Sequence, residues 1–434
     1  MKQVANPTWR NWSRLAVSKP QQLLYPESIQ DVVDIVHACR KNWTKIRIVG
    51  SGHSFPPLAR TDFTLVSLDA MQGILKIDRE AQTALVWAGT KLKKLGEDLF
   101  AAGWAQENLG DINAQSIGGA IGTGTHGTGV QFGSLSTQVV GLTVVTADGS
   151  VIECSEEVNP QIFKAMQLSL GTLGIIVQVR LKVIPAQRMH FQSQMASFTE
   201  CMENLVKWRQ EHRHFEFYWF PYTDQTQVKF MNATDLPASK NSVWNNLNKL
   251  VMENAAFWLI SEGCRIFPKI CQAASRLSAK AIPTMSEAGY GHQLFATLRL
   301  VRFSEMEYSV PADSMQAILE EVKATIERKQ FAVHFPIECR YVRGDDIWLS
   351  PAYDRDSAYI AVHMYKGMPY KDYFTTLENI FLRHGGRPHW GKLHSLRESE
   401  LNRLYPKFED FLEVRRILDP DGLFSNDYVS GLFG

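Results

Sequence analysis

The chain has 434 residues, of which 45% are hydrophobic and 21% charged, with a formal net charge of +1. This length suits two domains, and the composition is that of an ordinary globular protein. The near-zero charge, with no lysine/arginine-rich run, argues against a nucleic-acid partner.

Ser28–Lys41 reads as a helix, with Ile29, Val32, Val33 and Val36 on one face, Ser28 as N-cap and Asp31 in a capping-box position. Strands are predicted at Lys45–Val49, Thr64–Ser67 and Ala84–Ala88, and a helix at Leu92–Ala102. Past a glycine-rich stretch, strands Gln138–Ala147 and Val151–Cys154 are joined by an Asp148-Gly149 hairpin turn. A strand in the second half of 169–184 ends at Pro185, and a domain boundary placed there separates residues 1–186 from 187–434. Beyond it, Phe215–Phe220, Met306–Val310 and Tyr359–Tyr365 read as strands, and Met315–Lys329 and Lys371–His384 as helices. The expected second domain is an antiparallel sheet with helices on one face, and the fold class is α+β.

Val243–Phe267, with Trp244, Leu247, Phe257, Trp258, Leu259 and Ile260, is the best candidate for a membrane segment. Its apolar core is too short for the roughly 20 residues that span a bilayer, and Glu253, Glu262 and Arg265 interrupt it. It reads as a buried or capping helix, with peripheral membrane contact as the alternative. The first ten residues carry no secretory signal pattern. Cys39, Cys154, Cys201, Cys264, Cys271 and Cys339 show neither C-x-x-C nor zinc-like spacing, so reduced thiols in the cytoplasm and no metal are expected. A Cys264–Cys271 disulfide has no support from the pattern.

Two short segments carry the chemistry: Arg47–Ser54, containing Gly50, Gly52 and His53, and Ser116–Gly129, containing six glycines. Without a Cβ, such loops bring backbone N–H groups close to a pyrophosphate. A large diphosphate cofactor is implied, with His53 placed to be joined to it covalently. A Rossmann fingerprint fails on context, because Phe55 replaces the third glycine and Pro56-Pro57 follow where a helix must start. The glycine density of the second segment makes it poor material for a core element.

Taken together, Val49–Ser54, the Gly124-Thr-His-Gly127 run, Thr146–Glu156, Ile337–Ile347, His389-Trp-Gly-Lys392 and Leu418–Phe424 give the chain a clear likeness. It resembles the aldonolactone oxidoreductases of the vanillyl-alcohol-oxidase flavoprotein superfamily nearly end to end, least so at 230–300. The resemblance implies a two-lobed PCMH-type FAD domain and a cap domain over the flavin, with residues 385–434 returning to the cofactor. It implies FAD held by Arg47, Val49, Gly50, Ser51, Gly52, Ser54, Gly110, Asp111, Ser116, Gly119, Gly122, Thr123, Thr125, His126, Gly127, Gly174, Ile175, Ile176 and His389. His53 stands where relatives bond the flavin 8α-methyl carbon.

The implied reaction moves a hydride from the C2 carbinol of an aldono-1,4-lactone to flavin N5. The 2-keto product tautomerises to an ene-diol, which for gulonolactone is ascorbate. Glu338 and Arg340, two apart on a strand, project from one face and by resemblance line the substrate site. Arg340 can stabilise charge as the hydroxyl loses its proton, and Glu338 is either the base or a binder. Lys392, expected beside another cation, would have a lowered pKa and take a proton. His389 reads as structural first and catalytic second. Gly110 stands where a small residue in relatives admits dioxygen, so an oxidase producing hydrogen peroxide is expected. The rivals are an alditol oxidase, a dehydrogenase passing electrons to cytochrome c or a quinone, and a non-catalytic nucleotide-binding module. No obligate protein partner is inferred.

Overall fold

The computed structural model describes residues 1–239, 243–296 and 300–434, with the side chains of 243–253 outside the described set. The side chains of Trp244, Leu247 and Glu253 therefore lie outside the described residues.

Near the N-terminus, the Ser28 side chain accepts the Asp31 N–H and starts the helix Ile29–Lys41, which buries Val32, Ile35, Val36 and Cys39. This helix is the crossover that parallel strands require. Gln22–Tyr25 and Ile46–Val49 flank Thr64–Ser67 in parallel register, and Lys2–Ala5 adds an antiparallel edge. A second sheet is wholly antiparallel, in the order Val151–Cys154, Val139–Val145, Ile175–Lys182, Thr83–Trp87, Ile74–Asp78.

The expectation for the glycine-rich stretch is corrected here. Ile117–Gly122 is a helix, and Ile117, Ala120 and Ile121 are fully buried. Their i, i+3, i+4 spacing places them on one face, while Gly118 lies against Ala88 and Gly119 near Gly50. Burial of that face outweighs the entropic cost of the glycines.

Among the described residues the largest sheet has eight antiparallel strands. Its centre runs Gln225–Ala233, His214–Trp219, Ile337–Val342, Ser357–Tyr365, Phe303–Pro311. Alternation sorts its faces. Phe215, Phe217, Ile337, Cys339, Ile360 and Val362 pack with the helices Phe198–Glu211, Met315–Lys329 and Lys371–Arg383 in one core. The opposite face carries Glu216, Tyr218, Glu338, Arg340 and His363. A second core joins the two N-terminal sheets, and Trp390, Phe411, Phe424 and Leu432 from the C-terminal stretch complete it. No described helix is long and apolar enough to cross a membrane.

Candidate active site

The first glycine loop, the glycine-rich helix and the turn before Ile175 converge on one cleft. Val49, Gly50, Ser51, Gly52, His53 and Ser54 line it on one side. Ser116, Gly119, Gly122, Thr123, Gly174, Ile175 and Ile176 line the other. A Cβ at Gly50 would collide with Ser116 Oγ, so the two segments meet only because position 50 is glycine. The loop is fixed from behind: Asn11 Nδ2 donates to the Ser54 carbonyl at 2.9 Å, and Phe55 N–H donates to the Gly391 carbonyl at 2.9 Å. This cradle of small residues and backbone groups fits the diphosphate of FAD.

His53 ends the cleft. It stacks on Trp12 with ring centroids 5.9 Å apart, and Trp12 in turn meets Phe303 at 5.2 Å. Burial, followed by the nearby Lys392 and Lys91 cations, lowers its pKa to about 4. At neutral pH the imidazole is uncharged and keeps a lone pair.

Beyond His53 lies the polar face of the large sheet, and strand register builds it. Glu216 pairs across with Lys229 on one side and Arg340 on the other, Tyr218 stands opposite Glu338, and Glu305 stands opposite His363. Arg340 binds Asp111 through Nη2 at 2.6 Å and Glu216 through Nε at 3.1 Å, and it also pairs with Glu338. Tyr218 donates its hydroxyl to Glu338 at 2.8 Å. Lys392 Nζ lies 2.6 Å from Glu305 and 3.9 Å from Glu307, and His126 Nε2 lies 3.2 Å from Glu307. His363 Nε2 stands between Glu305 at 3.4 Å and Glu338 at 3.9 Å.

The charges are mutually set. Burial alone would lower the Arg340 pKa, but Asp111, Glu338 and Glu216 outweigh it and push it well up. Burial would raise the glutamates, yet Lys229 and Arg340 hold Glu216 low, Lys392 and His363 bring Glu305 to about 2, and His126 and Lys392 hold Glu307 well below the usual carboxylate range. His389 is lowered to about 3, chiefly by burial, and its Nδ1 accepts the Gly391 N–H at 3.0 Å. A cavity of about 510 Å³ opens on this face, walled by Tyr218, Lys229, Phe257, Phe303, Phe335 and His363.

The structure rearranges several expectations. Arg47 borders the cleft, and four of its five guanidinium N–H groups are directed at the Leu58, Leu170, Gly171 and Phe424 carbonyls, so it clamps the lobe. Gly110, Asp111, Thr125, His126, Gly127 and His389 lie outside the cleft lining. The Asp111 carboxylate faces Arg340, His126 faces Glu307, and Thr125 Oγ1 accepts from Gln115 at 3.0 Å. A Cβ at Gly110 would come within 3.0 Å of the His126 carbonyl and 3.3 Å of Thr125 Cγ2. The premise for Lys392 as a base also fails, because its partners are carboxylates and not a second cation. Glu338 and Arg340 form no surface pair, being 3% and 8% exposed.

Sequence reasoning missed Glu216, Tyr218, Glu305, Glu307 and His363. An alternation of polar and aromatic residues in Phe215–Trp219 was the available signal for the first two. It also missed Lys91, whose amine bridges Ser51 Oγ at 2.9 Å and Asp69 at 2.6 Å beside the cleft.

Comparison with known proteins follows the same division. The D-arabinono-1,4-lactone oxidase family matches residues 179–432, and an FAD binding domain matches residues 20–155. The chain is similar to an L-gulono-1,4-lactone dehydrogenase of Mycobacterium tuberculosis, at 37% identity over 99% of this chain and 100% of the relative. It is similar to an L-gulonolactone oxidase of Bos taurus, at 32% identity over 98% of each chain. It is similar to a D-arabinono-1,4-lactone oxidase of Eremothecium gossypii, at 29% identity over 89% of this chain and 83% of the relative. The crystal structure of cholesterol oxidase from B. sterolicum superposes with a TM-score of 0.82 over 100% of this chain and 97% of that one. At 17% identity that likeness concerns the fold alone.

Proposed function

The chain belongs to the D-arabinono-1,4-lactone oxidase family of FAD-dependent aldonolactone oxidoreductases, and from that premise we propose that it oxidises the C2 carbinol of a lactone of the L-gulono-1,4-lactone type, with FAD tethered to His53 and dioxygen as electron acceptor. The observation that carries this reading is that Lys392 lies near His53, at the end of the glycine cleft, and pairs with Glu305 on the sheet face that also carries Glu338 and Arg340.

FAD, when bound, accepts the hydride. The residues of the chain do the rest. Arg340, held by Asp111, Glu216 and Glu338, presents a preorganised guanidinium to the lactone hydroxyls and to the charge that develops on the carbinol oxygen. Glu338 takes the hydroxyl proton, with Tyr218 and Arg340 fixing its carboxylate. Lys392 supplies the charge that balances Glu305 and Glu307 beside His53. The neutral imidazole of His53 supports the tether, because only an unprotonated ring nitrogen can form the bond. The two hydrophobic cores support a division near residues 186 and 187, with 385–434 packing back on the FAD half.

The oxidase reading rests on the resemblance, which sets a residue without a side chain, Gly110, where relatives admit dioxygen. The name of the mycobacterial relative favours a second reading, a dehydrogenase. Lactone turnover in air decides between them. One peroxide per product supports the oxidase, and dye or cytochrome c reduction without peroxide overturns it. Faster turnover of xylitol than of lactone points instead to an alditol oxidase. The tether has its own test, a flavin spectrum after acid precipitation. Yellow colour staying with the wild-type chain and absent from His53→Ala supports it, and colour released into the supernatant overturns it.

The six buried free cysteines suit a reducing cytoplasm. Trp258, Leu259, Ile266 and Phe267 are 49%, 63%, 59% and 65% exposed, which supports peripheral membrane contact. Co-sedimentation with phospholipid vesicles that weakens in Leu259→Ser/Phe267→Ser fits that contact, and no sedimentation of the wild-type chain refutes it.

A further inference from the structure

We propose that Cys264, Cys271 and His334 form a binding site for a divalent thiophilic cation, with Zn²⁺ as its type. The two sulfurs and one imidazole nitrogen lie within 4.8 Å of one another. All three residues are fully buried. Linear spacing gave no hint, because the third ligand lies more than sixty residues from the nearer cysteine and the fold alone brings it in.

The histidine is oriented for the task. His334 Nε2 lies 2.9 Å from Ser261 Oγ, itself fully buried, while Nδ1 points to Cys271 Sγ at 4.0 Å. With the Nε2 proton given to Ser261, Nδ1 presents a lone pair to the sulfurs. A ligating histidine characteristically has its other nitrogen fixed in this way. Soft sulfur with imidazole selects zinc-like ions over magnesium or calcium. Charge favours a divalent ion, since two thiolates and a neutral imidazole bring it to zero in a buried site. Binding releases the two thiol protons to solvent, and a water completes the tetrahedral set. The other buried clusters of possible ligands, around Glu305, Glu307 and Glu338, belong to the active site.

Position gives the site a purpose. Cys264 lies on the helix Val243–Ile266 and Cys271 opens the helix Cys271–Ala281, and both helices wall the 510 Å³ cavity. His334 comes just before Ile337–Val342, the strand of Glu338 and Arg340. A cation here ties the helical wall of the cavity to the strand that holds the substrate residues.

The experiment uses the flavin-loaded full chain, reduced and kept free of oxygen. Zn²⁺ is titrated against a chromophoric chelator, and Co²⁺ is added separately as a spectroscopic probe. The expected result is one Zn²⁺ per chain, a cobalt–thiolate charge-transfer band, and a higher Tm with Zn²⁺. Cys271→Ser should abolish the band. Ser261→Ala should retain it with about 10- to 100-fold weaker Zn²⁺ binding, at unchanged flavin content. Should a serine variant fail to fold, the wild-type titration still decides. A chelator that keeps all the zinc, or Co²⁺ without a charge-transfer band, overturns the proposal. A digest of the chain purified without reductant that contains a Cys264–Cys271 cross-linked peptide also overturns it, since these two cysteines would then be a disulfide.

Discussion

Arg340 is the best-anchored side chain of the active site, because a planar fork reaches Asp111, Glu216 and Glu338 together. A lysine carries the charge but not the fork. Arg340→Lys is therefore expected to lower kcat about 100-fold or more, with flavin content unchanged in the visible spectrum. Glu338→Gln tests the proton acceptor. If Glu338 takes the hydroxyl proton, kcat falls by about 10²–10⁴ and the acid limb of the pH profile flattens. A rise in KM at constant kcat would make it a binder instead. Glu338 and Arg340 were legible as a pair two apart on a strand, whereas their partners were not, because cross-strand neighbours are set by register and sequence carries register only weakly.

Among the elements, the contact between the first glycine loop and the start of the glycine-rich helix is a tight constraint on the cofactor cleft. Gly50→Ala drives a methyl group into Ser116 Oγ. Flavin occupancy of the purified variant should drop several-fold, and Ser116→Ala on top of it should restore much of the loss. A Gly50→Ala protein with full flavin would mean that the two segments part without cost. Elements with a clean period, such as Met315–Lys329 and Thr64–Ser67, match their predicted ends. The helix Ile117–Gly122 was missed because propensity is local, while the burial of Ile117, Ala120 and Ile121 is a tertiary term.

For the whole molecule, buried ionisable groups make the fold acid-labile. Burial lowers His214 and His394 to about 4 and His389 to about 3. Unfolded chains protonate these groups near 6.5, so the unfolded state binds more protons between about pH 6.5 and 4, and stability falls with acidification through that window. Glu216, Glu305 and Glu307, held low in the fold, add a second loss as pH drops below their unfolded values toward about 2. Asp345, raised to about 6 by burial, and Asp419, also raised by burial, act in the opposite sense but are two groups against six. Thermal unfolding followed by circular dichroism should show Tm falling steadily from pH 7 to pH 4. A flat Tm over that range would mean that these histidines are open to water. The loss should involve both cores together, because Trp390, Phe424 and Leu432 from the C-terminal stretch are packed into the N-terminal one.

The sequence by itself determined the α+β class, the glycine cradle with His53, and the family. Each of these rests on local chemistry, in the form of periodicity, turn residues and contiguous motifs. Tertiary structure decided what each candidate faces: Arg47 turned to backbone carbonyls, Asp111 joined to Arg340, and Lys392 set on Glu305 and not beside a cation. It also gathered Cys264, Cys271 and His334, whose spacing along the chain carries no signal. The physical reason is the same throughout. A side chain's chemistry is written in its own residue, but its partners, and so its charge state and role, are fixed by strands and helices distant in sequence.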